Sequence, residues 1–338
     1  MSPGPGVAAG VVPSSRFRKL TVAAVLATFL LVVAGAVVRV TGSGLGCGEA
    51  GQDWPLCHGR LVPPADAATL IEFSHRMLAT IASVLVVAVA WRAWTRYRHL
   101  PRLATTMAVA VVLLIVQILL GAATIQFRLP GGIVMAHLAN ALLLLGVLIS
   151  VAVMVHSPAA RRESTPSLSD RQRSAAKQMA WAAGATYALV LSGGLVVANG
   201  AGYACSGWPL CGNGFQFDSS HYATINLFHR FVAGVVGLFL GWTVSRVMRA
   251  FRGVRPVRVA AMVVNVALLL QIIAGAVVVE TRLPGAARGL HLALASALWA
   301  TAAALALLVR AGAVRLGKAP EEPRQQPVSA GRPEAVAS

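Results

Sequence analysis

The sequence predicts an all-α integral membrane protein whose eight transmembrane helices form two tandem four-helix bundles related as a parallel repeat. Three observations carry that prediction. Of 338 residues, 57% are apolar and only 12% are charged, with a mean hydropathy of +0.71, whereas soluble domains carry about a quarter charged residues. Eight apolar runs are long enough to cross a hydrocarbon core of ~30 Å at about 1.5 Å per residue. Finally, motifs in the first half of the chain recur in the second at one fixed interval.

In chain order, residues 1–19 read as a cytoplasmic tail ending in Arg16, Arg18 and Lys19. The run Leu20–Val38 has the flanking charge of a signal peptide, but its 19 residues exceed an h-region of roughly 7–15, so it reads as a first span. Runs at about 72–91, 103–126, 133–155, 179–198, 224–245, 259–280 and 289–309 supply the other seven. The halves are then 20–156 and 179–310, joined by a polar, Ser-rich cytoplasmic linker at 157–178, with a disordered cytoplasmic tail at 311–338.

Lys and Arg concentrate in cytoplasmic loops, and 22 of the 29 fall on the side of the two termini, leaving Arg39, Arg60, Arg76, Arg128, Arg230, Arg282 and Arg288 on the other. Both termini are therefore expected in the cytoplasm, with loops 41–71 and 199–223 facing outward. The pI near 11.5 reports this topology. Basic residues dispersed between apolar runs are not the solvated basic face of a nucleic-acid binder, so membrane lipid is an expected partner and nucleic acid is not.

The repeat pairs Trp54-Pro55-Leu56-Cys57 with Trp208-Pro209-Leu210-Cys211, His75-Arg76 with His229-Arg230, Gln117 with Gln271, Arg128-Leu129-Pro130 with Arg282-Leu283-Pro284, and His137 with His291, each pair 154 residues apart. An even number of spans per half gives both halves one orientation, related by an axis along the membrane normal. Four of the eight histidines, His58, His99, His156 and His221, lie in loops or at helix ends and read as solvated or interfacial. His75, His137, His229 and His291 lie in apolar spans, where polar side chains are costly and usually functional. In each half they fall on the second and fourth spans near the outer end, the arrangement that ligates a haem from both sides. Zinc and a proton relay are the alternatives, and zinc asks for a third or fourth ligand that the spans do not offer.

The chain resembles the haem A synthase family, membrane enzymes that convert haem O to haem A for cytochrome oxidase. The likeness covers residues 20–310 and rests on Thr41-Gly42-Ser43-Gly44-Leu45-Gly46-Cys47, Trp54-Pro55-Leu56-Cys57-His58-Gly59, Glu72-Phe73-Ser74-His75-Arg76 and the duplicated four-histidine plan. One break in the repeat bears on function: Asn226 stands where the interval would place a second Glu72. Three residues before His75, Glu72 falls on the same helical face. Spacing alone leaves open whether it is an acid favoured at a helix N-terminus; the resemblance implies that it is the catalytic carboxylate. It further implies haem O as substrate between His75 and His137, and haem B as electron-transfer cofactor between His229 and His291. The C8 methyl would become a formyl group by successive hydroxylations, with Glu72 stabilising positive charge at that carbon or activating water.

The cysteines form two loop-local pairs on the oxidising side, which favours disulfides Cys47–Cys57 and Cys205–Cys211 over a metal site; the first, above the expected substrate site, also invites a redox role. Arg76, Arg128, Arg230 and Arg282 are candidates for haem propionates or lipid phosphate. Gln117 and Gln271 are expected to hydrogen-bond between helices, and Trp54 and Trp208 to roof the two sites. The resemblance places the protein in a bacterial-type plasma membrane, with haem sites near the outer face. It links the chain functionally to the farnesyltransferase that makes haem O, and leaves the electron partner and a homo-oligomer open. Two other functions compete: a quinol-linked dihaem electron carrier of the cytochrome b type that leaves haem unaltered, and a transporter with a parallel repeat.

Overall fold

The computed structural model describes residues 13–48, 57–60, 62–156, 168–212, 220–282 and 284–310. They form eight helices: α1 (Ser15–Thr41), α2 (Ala67–Arg96), α3 (Pro101–Gln126), α4 (Gly131–His156), α5 (Asp170–Ala198), α6 (His221–Ala250), α7 (Arg255–Glu280) and α8 (Gly285–Arg310). All eight are long and apolar enough to cross a membrane. The secondary structure is thus all-helical and membrane-spanning, as composition and apolar runs predict.

The helix boundaries have local causes. Ser14, Asp66, Ser169 and Ser220 each cap a helix by accepting a hydrogen bond from a backbone N–H three residues on. At Asp66 the bonds from Thr69 also hold the carboxyl below the usual carboxylate range. α3 starts on Pro101 and α7 carries Pro256 as its second residue, and a missing N–H costs nothing in a first turn. The α3–α4 turn takes Arg128 and Leu129 through positive φ (56° and 61°), and Arg282 does the same (57°) in the α7–α8 turn. One boundary differs from the sequence reading. Residues 170–178, expected in the linker, form the first turns of α5, because Ser169 and Gln172 make a capping box in which each side chain bonds the other's backbone N–H. Residues 157–167 lie outside the described set.

Helix contacts place the histidine-bearing helices. α1 and α3 each pack against both α2 and α4, which leaves α2 and α4 on opposite corners of a cycle; α5 and α7 do the same for α6 and α8. The halves meet where α1 and α4 pack on α8 and α4 packs on α5, through a buried cluster of Val32, Leu142, Leu145, Val190 and Trp299. Two further clusters fill one end of each half. One gathers Phe17, Val86, Val89, Met107, Leu148 and Val151, the other Met179, Leu240, Val244, Val264, Leu298 and Leu305. Among the described residues of α2, α4, α6 and α8, the buried Val, Leu and Trp side chains begin only at Val86, Leu142, Val236 and Leu298, all beyond the histidine of that helix. On these four helices the large buried apolar side chains therefore stop short of the level at which the histidines project.

Candidate functional site

His75 and His229 each lie eight residues into their helices, and His137 and His291 each lie six, or ~12 and ~9 Å along the axis at about 1.5 Å per residue. His75 and His137 are within electrostatic range of one another, as are His229 and His291. The structure thus brings the four histidines together as two pairs on opposed helices.

Each ring rests on a glycine of the helix beside it. A Cβ placed on Gly35, Gly121, Gly193 or Gly275 would come within 3.3, 3.3, 3.1 or 3.2 Å of Cε1 of His75, His137, His229 or His291 respectively. These glycines give the imidazoles a flat wall to lie on. Gln117 stands one turn before Gly121 and donates its amide N–H to Nε2 of His137 (3.1 Å), while its Oε1 accepts from Asn140 Nδ2 (2.7 Å), which also reaches the Leu113 carbonyl. Gln271 approaches both ring nitrogens of His291, at 3.3 and 3.4 Å. Leu294 replaces Asn140 at the repeat interval, and Gln271 Oε1 is buried without a hydrogen-bond partner among the described residues. The interhelical role expected of the two glutamines is thus taken up fully by Gln117 only.

Nδ1 of His75 and of His137 is likewise buried without a partner among the described residues. Buried polar atoms left unbonded are rare and call for an explanation. Paired imidazoles on opposed helices, an apolar core that ends below them and glycine walls beside them fit an iron porphyrin held between two axial ligands. Among the described residues no three His, Cys, Asp or Glu side chains gather as a conventional metal site would require.

Glu72 is 3% exposed and fully engaged. Its Oε2 accepts the Cys47 N–H at 2.8 Å, and its Oε1 accepts Nε (3.0 Å) and Nη2 (2.5 Å) of Arg76, one turn on. The pairing holds Glu72 beside Arg76 and the Cys47–Cys57 loop, about one turn before His75 on α2. Arg76, considered above for a propionate, here serves that carboxylate. The second half repeats the frame with an amide. Arg230 Nε donates to Asn226 Oδ1 (2.8 Å), and Asn226 Nδ2 donates to the Ala201 carbonyl (2.9 Å). The rest of the Arg230 guanidinium goes to the carbonyls of Gly207, Leu210 and Cys205. One side thus carries a buried carboxylate–guanidinium pair, and the other a guanidinium bonded to an amide and to carbonyl oxygens. Arg128 and Arg282 occupy the exposed α3–α4 and α7–α8 turns.

The structure pairs Cys47 with Cys57 and Cys205 with Cys211. The first pair is clamped onto the start of α2. Thr69 Oγ1 donates to the Gly46 carbonyl (2.7 Å), His58 Nε2 lies 2.9 Å from the same oxygen, and a Cβ on Gly46 would come within 2.5 Å of the Ala68 backbone. That close approach aims the Cys47 N–H at Glu72. Trp208 is 49% exposed, and Trp54 lies outside the described residues.

The contacts also reveal a second repeat interval. Gly35 and Gly193 meet equivalent histidines, Gly42 and Gly200 both turn the chain with φ near 68° (69° and 67°), and Cys47 and Cys205 open equivalent disulfides; each pair is 158 residues apart. Thr28 and Thr186, and Val32 and Val190, are buried at the same interval. The interval is 158 through α1 and 154 from Cys57 onward, so four residues are missing between Cys205 and Cys211 relative to Cys47 and Cys57. Gly121 and Gly275 keep the interval of 154, but Gly35, Gly193 and Ser192, which bonds His229 Nδ1 at 2.8 Å, escape a search at 154 residues for this reason; aligning α1 with α5 separately exposes them.

Residues 18–303 match the COX15-CtaA family, described as cytochrome oxidase assembly protein. The chain is 31% identical over 267 residues to a heme A synthase of Shouchella clausii (78% of this chain, 87% of the relative). It is 30% identical over 242 residues to one of Alkalihalophilus pseudofirmus (68% and 77%), and 29% over 266 residues to one of Geobacillus thermodenitrificans (76% and 80%). With two opposed histidine pairs, a disulfide loop packed on the start of α2 and a match over nearly its whole helical length, the chain belongs to the COX15-CtaA family of cytochrome oxidase assembly proteins.

Proposed function

We propose that this protein is a haem A synthase, a membrane oxidoreductase that converts haem O to haem A. The observation that carries the reading is the inequality of two otherwise equivalent frames: Glu72 with Arg76 above one histidine pair, Asn226 with Arg230 above the other. A symmetric electron wire has no use for one buried carboxylate.

In this reading His75 and His137 hold the substrate haem O, oriented so that its C8 methyl lies toward Glu72. Two successive hydroxylations of that methyl give a hydrated aldehyde, which loses water to the formyl group. Arg76 and the Cys47 N–H hold both oxygens of Glu72 in place, so the carboxylate can stabilise positive charge at the methyl carbon or take a proton from water beside it. The glycine walls and the apolar surroundings orient the macrocycle and keep bulk water out. His229 and His291 hold haem B, which supplies one-electron transfer. Direct packing of α4 on α8 puts the helices carrying His137 and His291 side by side, a short route for electrons toward a redox partner not identified by the sequence. Arg128 and Arg282, at the outer turns, meet propionates or lipid phosphate. The site faces outward, both termini are cytoplasmic, and haem O arrives from a farnesyltransferase acting on haem B.

The test is Glu72→Gln in membranes supplied with haem O. Asn226 shows that an amide can sit in this frame. The variant is therefore expected to retain its haem while haem A formation falls by about 10²–10⁴-fold, the range for a lost acid or base. Undiminished conversion would remove Glu72 from the chemistry.

A further inference from the structure

Ser192 and Ala34 occupy the same place in the two halves, each preceding the glycine on which a histidine rests, 158 residues apart. They treat that histidine differently. Ser192, 7% exposed, stands with its Oγ 2.7 Å from the Leu189 carbonyl and 2.8 Å from His229 Nδ1. A hydroxyl has a single proton. With it donated to Leu189, the oxygen accepts from Nδ1–H, which leaves the Nε2 lone pair available to a metal. Ala34 offers His75 nothing comparable, and Nδ1 of His75 is buried without a hydrogen-bond partner among the described residues.

We infer that Ser192 is a positioning residue that makes His229 a permanent haem ligand, and that its replacement by Ala34 leaves His75 an exchangeable one. The inference rests on the reading that the second half keeps haem B and the first half turns over haem O. A second partner on the far ring nitrogen fixes tautomer and orientation and raises ligand basicity, and losing one typically costs 10–100-fold in metal affinity. A resident cofactor calls for that support. A substrate that must leave as product is better served by a ligand without it. The assignment concerns retention and redox poise, not the hydroxylation itself, which is Glu72's.

The test uses the full-length purified protein, its Ser192→Ala, Ser192→Thr and Ala34→Ser variants, and two readouts other than turnover. One is the rate at which each haem passes to excess apomyoglobin; the other is the midpoint potential of the haem B signal. Ser192→Ala is expected to speed haem B loss by about ten-fold or more. Because a less basic imidazole stabilises the ferric state less, it also raises the potential, by about 59 mV for each tenfold loss in ferric preference. Ser192→Thr, which keeps the hydroxyl, is expected to restore both, separating the hydrogen bond from a packing defect. Ala34→Ser is expected to slow release from the first half and leave haem B unchanged. If wild type holds haem B but Ser192→Ala leaves its loss rate and potential unchanged, the role of Ser192 is overturned while the assignment of the two halves stands. If wild type holds no haem B at all, that assignment fails and takes the inference with it.

Discussion

At the scale of single residues, contact distances decide what each position tolerates. A methyl at Gly121 or Gly275 would sit 3.3 or 3.2 Å from the ring of His137 or His291, inside ordinary van der Waals contact, and overpacking of this kind costs ~1–3 kcal/mol. Gly121→Ala is expected to reduce the haem bound in the first half and Gly275→Ala that in the second. Haem content after purification checks this, and loss from both halves in either variant would show a general folding defect instead. Arg76 is a different case. It is 7% exposed and neutralises a carboxylate that is 3% exposed, so Arg76→Leu leaves a buried charge without its partner, at a cost of ~3–5 kcal/mol. Thermal unfolding in detergent is expected to show that loss. Adding Glu72→Gln to Arg76→Leu should recover much of it, since the double variant has no buried charge at this pair.

At the scale of elements, the Cys47–Cys57 loop and the start of α2 act as one unit. Gly46 lies so close to the Ala68 backbone that Gly46→Ala must push the loop away from α2, withdrawing the Cys47 N–H from Glu72. That variant is expected to lose haem A formation by at least tenfold while its haem content stays near wild type, which conversion and haem assays on one preparation can check. This coupling was not legible in the sequence. Spacing placed Glu72 on the face of His75, whereas the i,i+4 bond to Arg76 and a backbone donor 25 residues away set where its oxygens go. The eight spans were legible because apolar length decides membrane insertion, and the histidine pairs because an interval of 154 residues is arithmetic. The ring partners on α1 and α5, Gly35, Gly193 and Ser192, were not, because the interval becomes 158 through those helices. The α5 start was hidden for a further reason: a capping box needs only Ser169 and Gln172, two residues that also suit a polar linker.

At the scale of the whole molecule, the seam between the halves relies on small residues, as helix packing in membranes does. A Cβ on Gly146 of α4 would come within 2.7 Å of the Trp299 ring of α8, and Tyr187 of α5 both donates to the Ala139 carbonyl of α4 (3.0 Å) and packs beside Trp299 (ring centroids 5.7 Å apart). Gly146→Leu is expected to force α4 and α8 apart and slow electron exchange between the two haems, read by rapid-mixing spectroscopy, with each haem still bound. The central claim is that one chain carries two unlike haem sites, one for a substrate and one for a cofactor. Chromatography of haem extracted from the purified protein, from its His75→Ala variant and from its His229→Ala variant tests it most directly. The account predicts haem B together with haem O, a hydroxylated haem or haem A in wild type, haem B alone in His75→Ala, and selective loss of haem B in His229→Ala. Haem B as the sole species in wild type, or no haem in any of the three, would contradict it.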